Sequence, residues 1–150
     1  LALAGEPFRA VIAGDGPEAE ALRRKARTLG VDHRVEFVGR VSDETLVSLY
    51  NGARAVYYSP VDEDFGLVTV EAFGAAKPIL TAADSGGVLE LVRDGETGFV
   101  AERAEPDLIA FGLRALLDDV ELARRLGERG SESVRDLNWD SVVERLLSNV

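Results

Sequence analysis

Residues 60–78 read Pro60-Val-Asp-Glu-Asp-Phe-Gly-Leu-Val-Thr-Val-Glu71-Ala-Phe-Gly-Ala-Ala-Lys-Pro78, and the interpretation of the whole chain starts from them. A mostly apolar run, Ala53 to Tyr58, precedes this stretch and predicts a strand, and the run from Leu67 to Ala76 favours a helix. Gly66 stands between the two, where a glycine allows a tight turn and leaves free backbone amides at the start of the helix. These amides, at the positive end of the helix dipole, predict an anion site.

The composition is typical of one soluble globular domain, since the 150 residues are 46% hydrophobic and 29% charged. A net charge of −10 argues against nucleic acid as a partner, because binding to a phosphate backbone needs an excess of basic residues. No apolar run approaches the ~20 residues that a membrane span needs. The chain has no cysteine and one histidine, which excludes disulfides and His-rich metal sites, so we expect a cytoplasmic protein with no metal site.

The first residues favour a chain that begins inside a larger domain. They contain no methionine, and Leu1 to Ala4 are typical of the last turn of a helix, with Gly5 as its left-handed stop and Pro7 just beyond. We therefore expect residues 1–150 to be a single α/β domain that is truncated at its N-terminus.

Strand-like and helix-like runs alternate along the chain. The predicted strands are Phe8 to Ala13, Arg34 to Val38, Ala53 to Tyr58, Pro78 to Ala82 and Thr97 to Ala101. The predicted helices start at Pro17, after the cap Ser42, at Leu67, at Val88, at Pro106, at Val120 (to Arg129) and after the cap Asn138, the last of them carrying Trp139 to Leu147. Strands separated by helices predict right-handed crossovers and a parallel sheet, which is a Rossmann-like three-layer sandwich.

Two apolar stripes predict which faces of the early helices are buried. The strand from Phe8 to Ala13 is expected to be buried as well, because its residues are mostly apolar. The stripes consist of Ala19, Leu22, Ala26 and Leu29 in the first helix and of Leu46, Leu49 and Tyr50 in the second.

Ligands of such sheets bind at the carboxyl ends of the strands, where three glycine-containing turns fall. The amides of Gly14 and Gly16 could face a phosphate, although a plain turn explains the same glycines. The segment Gly39-Arg40-Val41 could line a slot for a nucleobase, or Arg40 could simply be solvated. The turn from Asp84 to Gly87 allows phosphate contact, but a tight turn alone also accounts for it.

Glu63 and Glu71 flank the predicted anion site. In a chain this acidic they could be part of a solvated face. If a diphosphate lies on the amides after Glu63, however, both carboxylates are repelled by it and must bind something else, and sugar hydroxyls are what remain. A hydrolase carboxylate pair, with the groups roughly 5–9 Å apart, is an alternative that we rank lower, because no second wall of a cleft is evident.

Several blocks of the chain together resemble one family. The run from Glu63 to Ala72 closely resembles the E-x7-E signature of retaining glycosyltransferases of family 4 (group 1), which have the GT-B fold. The other blocks that resemble this family, in the same order, are Val11 to Pro17, Val35 to Arg40, Lys77 to Leu80, Asp84 to Glu90 and Asp94 to Phe99. The resemblance covers nearly the whole chain and implies the C-terminal half of such an enzyme, which binds a nucleotide sugar.

The resemblance also implies a role for each candidate residue. Glu63 is then the catalytic residue that contacts the donor sugar, and Glu71 binds the ribose. The remaining donor-binding candidates are Gly14, Gly16, Gly39, Arg40, Val41, Phe65, Gly66, Leu67 and Val68. The implied reaction in the parent transfers a hexose, with retention and without an obligatory metal or other cofactor, from a UDP- or GDP-sugar to a saccharide or lipid-linked acceptor. Polysaccharide biosynthesis and a peripheral membrane association of the parent are further implications.

Two departures from the family pattern limit the expected activity. The arginine and lysine that neutralise the leaving diphosphate in this family fall before residue 1, and so does the N-terminal acceptor domain. Losing one stabilising donor costs about 10²–10³ in rate, so the isolated chain is expected to be inactive. A non-catalytic interaction domain on the same fold and a fragment of a sugar-nucleotide epimerase are the alternative functions.

Overall fold

The structure is a computed structural model that describes residues 3–5, 8–137 and 147. Within them, five strands alternate with helices in the predicted order. The strands are β1 (Ala10–Ala13), β2 (Val35–Gly39), β3 (Val56–Tyr57), β4 (Ile79–Ala82) and β5 (Gly98–Ala101). The helices are α1 (Ala19–Thr28), α2 (Asp43–Gly52), α3 (Leu67–Gly74), α4 (Val88–Leu91), α5 (Pro106–Asp118) and α6 (Val120–Val134), with a 3₁₀ turn at Asp32–Arg34.

All of these strands pair in parallel, which confirms the α/β class, but they form two sheets rather than one. In the first sheet β1 pairs with β2, from Ala10 opposite Val35 to Ala13 opposite Gly39. In the second sheet β4 lies between β3 and β5. The expectation of a single sheet needs this correction because no hydrogen-bonded ladder joins β1 or β2 to the second sheet within the described residues.

The second sheet is the middle of three layers. All four residues of β4 are buried, and side chains that are adjacent on a strand point to opposite faces. Ile79 accordingly belongs to one core cluster, with Phe73 of α3 and Val88 of α4. Leu80 belongs to a second cluster, with Leu116 of α5 and Leu126 of α6. The three-layer arrangement is thus realised around β4, and both core clusters lie within residues 50–134.

The first sheet contradicts part of the predicted burial. β1 begins at Ala10 rather than Phe8, and its Val11 and Ile12 are exposed. In α1 only Ala26 is buried, whereas Leu22 and Leu29 are exposed. The physical reason is that neither core cluster of the described residues includes a side chain before Tyr50, so neither cluster covers these apolar groups.

Some helix boundaries also differ from the expectation. α1 begins at Ala19, after a turn that contains Pro17, so this proline is not the first helical residue. α6 continues five residues beyond the expected end, to Val134. Ser42 caps α2 as predicted, because its hydroxyl accepts from the amide of Thr45, and Gly5 has the predicted positive φ of 82°. The helix expected after Asn138 lies, apart from Leu147, outside the described residues. No described helix is long and apolar enough to cross a membrane.

Helices α3 and α6 approach so closely that glycines are needed at the contact. A Cβ at Gly127 would overlap the backbone carbonyl of Ala76, and a Cβ at Gly130 would overlap the ring of Phe73. A backbone carbonyl cannot move aside as the end of a side chain can. The contact between α6 and the C-terminal end of α3 therefore depends on these two positions.

Substituting Gly127 by alanine is expected to destabilise the chain. Overpacking costs about 1–3 kcal/mol, and the better helix propensity of alanine offsets at most about 1 kcal/mol of this. The matched control is Gly74→Ala, since nothing lies within 4 Å of a Cβ at Gly74. Urea unfolding of both variants tests the prediction, and equal midpoints for the two would contradict the close approach.

Candidate functional site

The loop between β3 and α3 places free backbone amides at the start of α3. Gly66 precedes the helix with a φ of 74°, and a Cβ there would lie 2.7 Å from Val88 Cγ2. The first helical amide with a partner is that of Thr69, which donates to Gly66 at 2.8 Å. The amides of residues 65–68 donate to no other described residue, as expected at a helix start. The predicted cluster of unsatisfied donors is therefore present.

The turn from Asp84 to Gly87 supports this loop from below through main-chain atoms. The amide of Asp62 donates to the carbonyl of Asp84 at 2.9 Å, and the amide of Gly87 donates to the carbonyl of Glu63 at 2.6 Å. A Cβ at Gly86 would lie 2.5 Å from the Glu63 carbonyl, and one at Gly87 would overlap the carbonyl of Asp64. The two glycines thus permit close backbone contact between the turns, and the Gly87 amide is already used.

Sequence reasoning missed this role of Gly86 and Gly87. It offered phosphate contact or a tight turn, and the φ of 63° at Gly86 agrees with the tight turn. Two consecutive glycines at the end of a strand are a signal of close backbone approach. The sequence contains no indication, however, of which segment approaches.

Glu63 is held by two hydrogen bonds within its own loop. Tyr58 Oη donates to Glu63 Oε2 at 3.0 Å, and the amide of Asp64 donates to Glu63 Oε1 at 3.2 Å. Partial burial and the bond to this carboxylate raise the pKa of Tyr58. The Tyr58 hydroxyl therefore remains protonated at neutral pH and acts as the donor.

Glu71 lies in the second turn of α3, where its side chain is exposed. Tyr50, which comes from α2, donates from Oη to Glu71 Oε2 at 2.9 Å. Burial first, and then the bond to Glu71, raise the pKa of Tyr50 strongly, so this hydroxyl also stays protonated. Each signature glutamate consequently has a tyrosine donor of its own, which the sequence alone did not indicate.

The structure brings the glycines of the first sheet together with each other. Gly14 donates from its amide to the carbonyl of Gly39 at 2.7 Å, and the amide of Gly16 is bonded to Asp15 Oδ1 at 2.9 Å. Both amides are thus used internally, which favours the plain turn for Gly14 and Gly16. Arg40 is exposed and Val41 is half-buried. No hydrogen bond within the described residues joins these turns to the Glu63 loop.

Two other kinds of site, a metal site and a pocket between β5 and α5, do not involve Glu63 or Glu71 within the described residues. No group of three or more histidine, aspartate or glutamate side chains in this part of the chain could hold a metal ion. A pocket of about 220 Å³ lies between β5 and α5, lined by Phe99, Leu108 and Phe111 among others, and neither Glu63 nor Glu71 contributes to it. The site is therefore an open surface built from two carboxylates, two tyrosines and the amides between them.

Comparison with known proteins places this chain in a family. The family model of glycosyl transferases group 1 matches residues 2–133. D-inositol 3-phosphate glycosyltransferase of Corynebacterium efficiens is 37% identical over 145 residues, which cover 94% of this chain and 34% of that protein. The chain thus spans about a third of the length of the curated relatives it matches.

Solved structures show the same relationship. HepE of Anabaena, in a crystal structure with UDP-glucose, is 25% identical with a TM-score of 0.86, over 99% of this chain and 43% of HepE. The C-terminal domain of a glycosyl transferase group 1 family protein from Francisella tularensis is also 25% identical, with a TM-score of 0.74, over 86% of this chain and 68% of that domain. These likenesses confirm the GT-B resemblance expected from the sequence. The chain belongs to the group 1 glycosyl transferases.

Proposed function

We propose that this chain is the donor-binding half of a retaining glycosyltransferase of family 4, which transfers a hexose from a UDP- or GDP-sugar to a saccharide or lipid-linked acceptor. The observation that carries the proposal is the set of free amides at residues 65–68, flanked by two carboxylates that are each held by a tyrosine. The crystal structure of HepE with UDP-glucose supports a nucleotide sugar as the ligand class.

The charges around the loop indicate which residues bind which part of the nucleotide sugar. A diphosphate on the amides of Phe65, Gly66, Leu67 and Val68 satisfies donors that otherwise have no partner. The two carboxylates then bind hydroxyls on either side, with Glu63 on the transferred sugar and Glu71 on the ribose. In this assignment the nucleobase of the donor lies by Gly39, Arg40 and Val41.

The cations that a diphosphate needs are not in the loop. No lysine or arginine occurs between Arg54 and Lys77, so the amides and the helix dipole are the only positive groups that residues 55–76 supply. We infer that the chain alone binds nucleotides weakly and does not transfer sugar. In the parent, cations from outside this loop complete the site, without an obligatory metal. The parent is, in this proposal, a cytoplasmic enzyme of polysaccharide biosynthesis. Its contact with the membrane is peripheral, because a lipid-linked acceptor is held there.

An NMR titration of the chain tests where the nucleotide binds. Addition of UDP, GDP and UDP-glucose is expected to shift the amide signals of Phe65 to Glu71 and of Gly39 to Val41. Uridine, which lacks the diphosphate, is the control, and it should shift the signals of Phe65 to Val68 much less than UDP does. Shifts that fall instead around the pocket between β5 and α5, or no shifts at millimolar UDP, would contradict the assignment.

Replacing Glu71 by glutamine in the parent is expected to weaken binding of the nucleotide itself. A hydrogen bond to a charged group contributes about 1.5–3 kcal/mol, so the Kd of UDP or GDP should rise about 10- to 100-fold. Isothermal titration calorimetry measures the change. Glu90→Gln, at an exposed glutamate of α4, is the matched control, and the role of Glu71 is refuted if both variants bind like the wild type.

A further inference from the structure

We propose that Tyr50 and Tyr58 are positioning residues that orient the carboxylates of Glu71 and Glu63 toward two different parts of the donor. This inference rests on the proposed function. It adds two residues that lie outside the E-x7-E signature, and it gives each a separate part of the ligand: Tyr50 acts on the ribose through Glu71, and Tyr58 acts on the transferred sugar through Glu63.

The geometry of the two pairs is alike. In each pair one tyrosine hydroxyl donates to one carboxylate oxygen, at 2.9 Å for Tyr50 with Glu71 and at 3.0 Å for Tyr58 with Glu63. An ionised carboxylate has about four lone-pair sites, so one such bond leaves room for ligand hydroxyls. Glu71 is exposed, and its Oε1 has no hydrogen-bond partner within the described residues. The tyrosines therefore restrict the carboxylates without saturating them.

Both rings are fixed by the core that lies under the loop. Tyr50 and Tyr58 pack against the cluster that contains Ala72 and Phe73 of α3. The edge of the Tyr58 ring also lies against Gly66, where its Cε1 would be 3.3 Å from an added Cβ. A half-buried ring that packs against a core is a rigid support, because a tyrosine has only two side-chain torsions to fix. Long glutamate side chains lack such rigidity by themselves.

Tyr57, the last residue of β3, provides a matched comparison at the position next to Tyr58. It precedes Tyr58, points to the opposite face of the sheet, and is 50% exposed. Its hydroxyl makes no hydrogen bond with another described residue. The variant Tyr57→Phe therefore shows the general effect of removing a tyrosine hydroxyl beside Tyr58, because Tyr57 makes no hydrogen bond to Glu63 or Glu71.

The test measures the Kd of UDP and of UDP-glucose for the full-length parent, with GDP and GDP-glucose if the parent prefers guanine. Tyr50→Phe is expected to weaken UDP and UDP-glucose equally, by about tenfold, because both contain the ribose. Tyr58→Phe is expected to leave the Kd of UDP unchanged and to reduce about tenfold the extra affinity that the glucose supplies. Tyr57→Phe is expected to change neither value.

Double variants separate positioning from a general structural role. Tyr50→Phe in a Glu71→Gln background, and Tyr58→Phe in a Glu63→Gln background, are expected to add almost nothing to the effect of the glutamate change. Thermal unfolding of each variant shows whether it folds. If the wild type binds neither UDP nor GDP, the proposed function fails. If the wild type binds but Tyr50→Phe matches Tyr57→Phe, the positioning role of Tyr50 is overturned. The role of Tyr58 is overturned if Tyr58→Phe matches Tyr57→Phe, or if it weakens UDP and UDP-glucose by the same factor.

Discussion

Replacing Glu63 by glutamine in the parent is expected to lower glycosyl transfer by about 10²–10³-fold, the cost of removing one fixed electrostatic group from an active site. As the bond to the diphosphate breaks, positive charge develops on the sugar, and a carboxylate held at a fixed position stabilises it. Glutamine has nearly the same shape and keeps an oxygen acceptor for Tyr58, so the loss reports the charge. Initial rates at saturating donor measure the effect.

Two comparisons make the Glu63 result specific. Asp64→Asn removes an adjacent, exposed carboxylate, whose side chain makes no hydrogen bond with the described residues, and it should change the rate less than threefold. The Kd of UDP should also stay near that of the wild type in Glu63→Gln, because the assigned contact is with the sugar. Transfer at the wild-type rate by Glu63→Gln would show that Glu63 has no role in the chemistry. A large rise in the Kd of UDP would show that Glu63 contacts the nucleotide rather than the sugar.

Replacing Gly87 by alanine is expected to cause the largest loss of stability among the changes considered. The added Cβ overlaps the backbone carbonyl of Asp64, and relief of the overlap separates the Gly87 amide from the Glu63 carbonyl. Overpacking costs about 1–3 kcal/mol and the lost hydrogen bond about 1 kcal/mol, so we expect about 2–4 kcal/mol in total. Because the same contact holds the loop that carries Glu63, binding of UDP-glucose should fall as well.

Guanidinium unfolding and calorimetric titration with UDP-glucose measure the two effects of Gly87→Ala. The control is Gly52→Ala at the end of α2, where nothing lies within 4 Å of an added Cβ. Alanine at that position should leave stability unchanged or slightly increased, because it has the better helix propensity. Equal unfolding midpoints for the two variants would show that the turn at Gly87 does not press against the loop.

Local patterns predicted most of the helices and strands but not the contacts of the site. Ser42 and Gly66 act within a few residues of their own position, so their roles at the helix starts could be predicted from neighbouring residues. The bond between Tyr50 and Glu71 joins residues 21 positions apart, in two different helices. It depends on how α2 packs beside α3, and no sequence period encodes that packing. The role of Gly86 and Gly87 was missed for the same reason.

The predicted burial of the first sheet was wrong for a related reason. An apolar run indicates that a segment is suited to burial, but it does not indicate which element covers it. Val11 and Ile12 form a strand as expected, and they remain exposed because the layers around β4 include nothing from this sheet. The E-x7-E spacing was informative because it fixes both acids relative to one helix start, which is a local property.

The main-chain support of the loop between β3 and α3 has a consequence for how this surface can diverge between relatives. The loop is held through the backbone atoms of Asp62 and Glu63, whereas the side chains of Val61 and Phe65 are exposed by 78% and 40%. Folding therefore sets few requirements on these side chains. Mutations there can accumulate at little cost in stability, so relatives that share this loop can vary the side chains around the amides while the backbone that presents them stays the same.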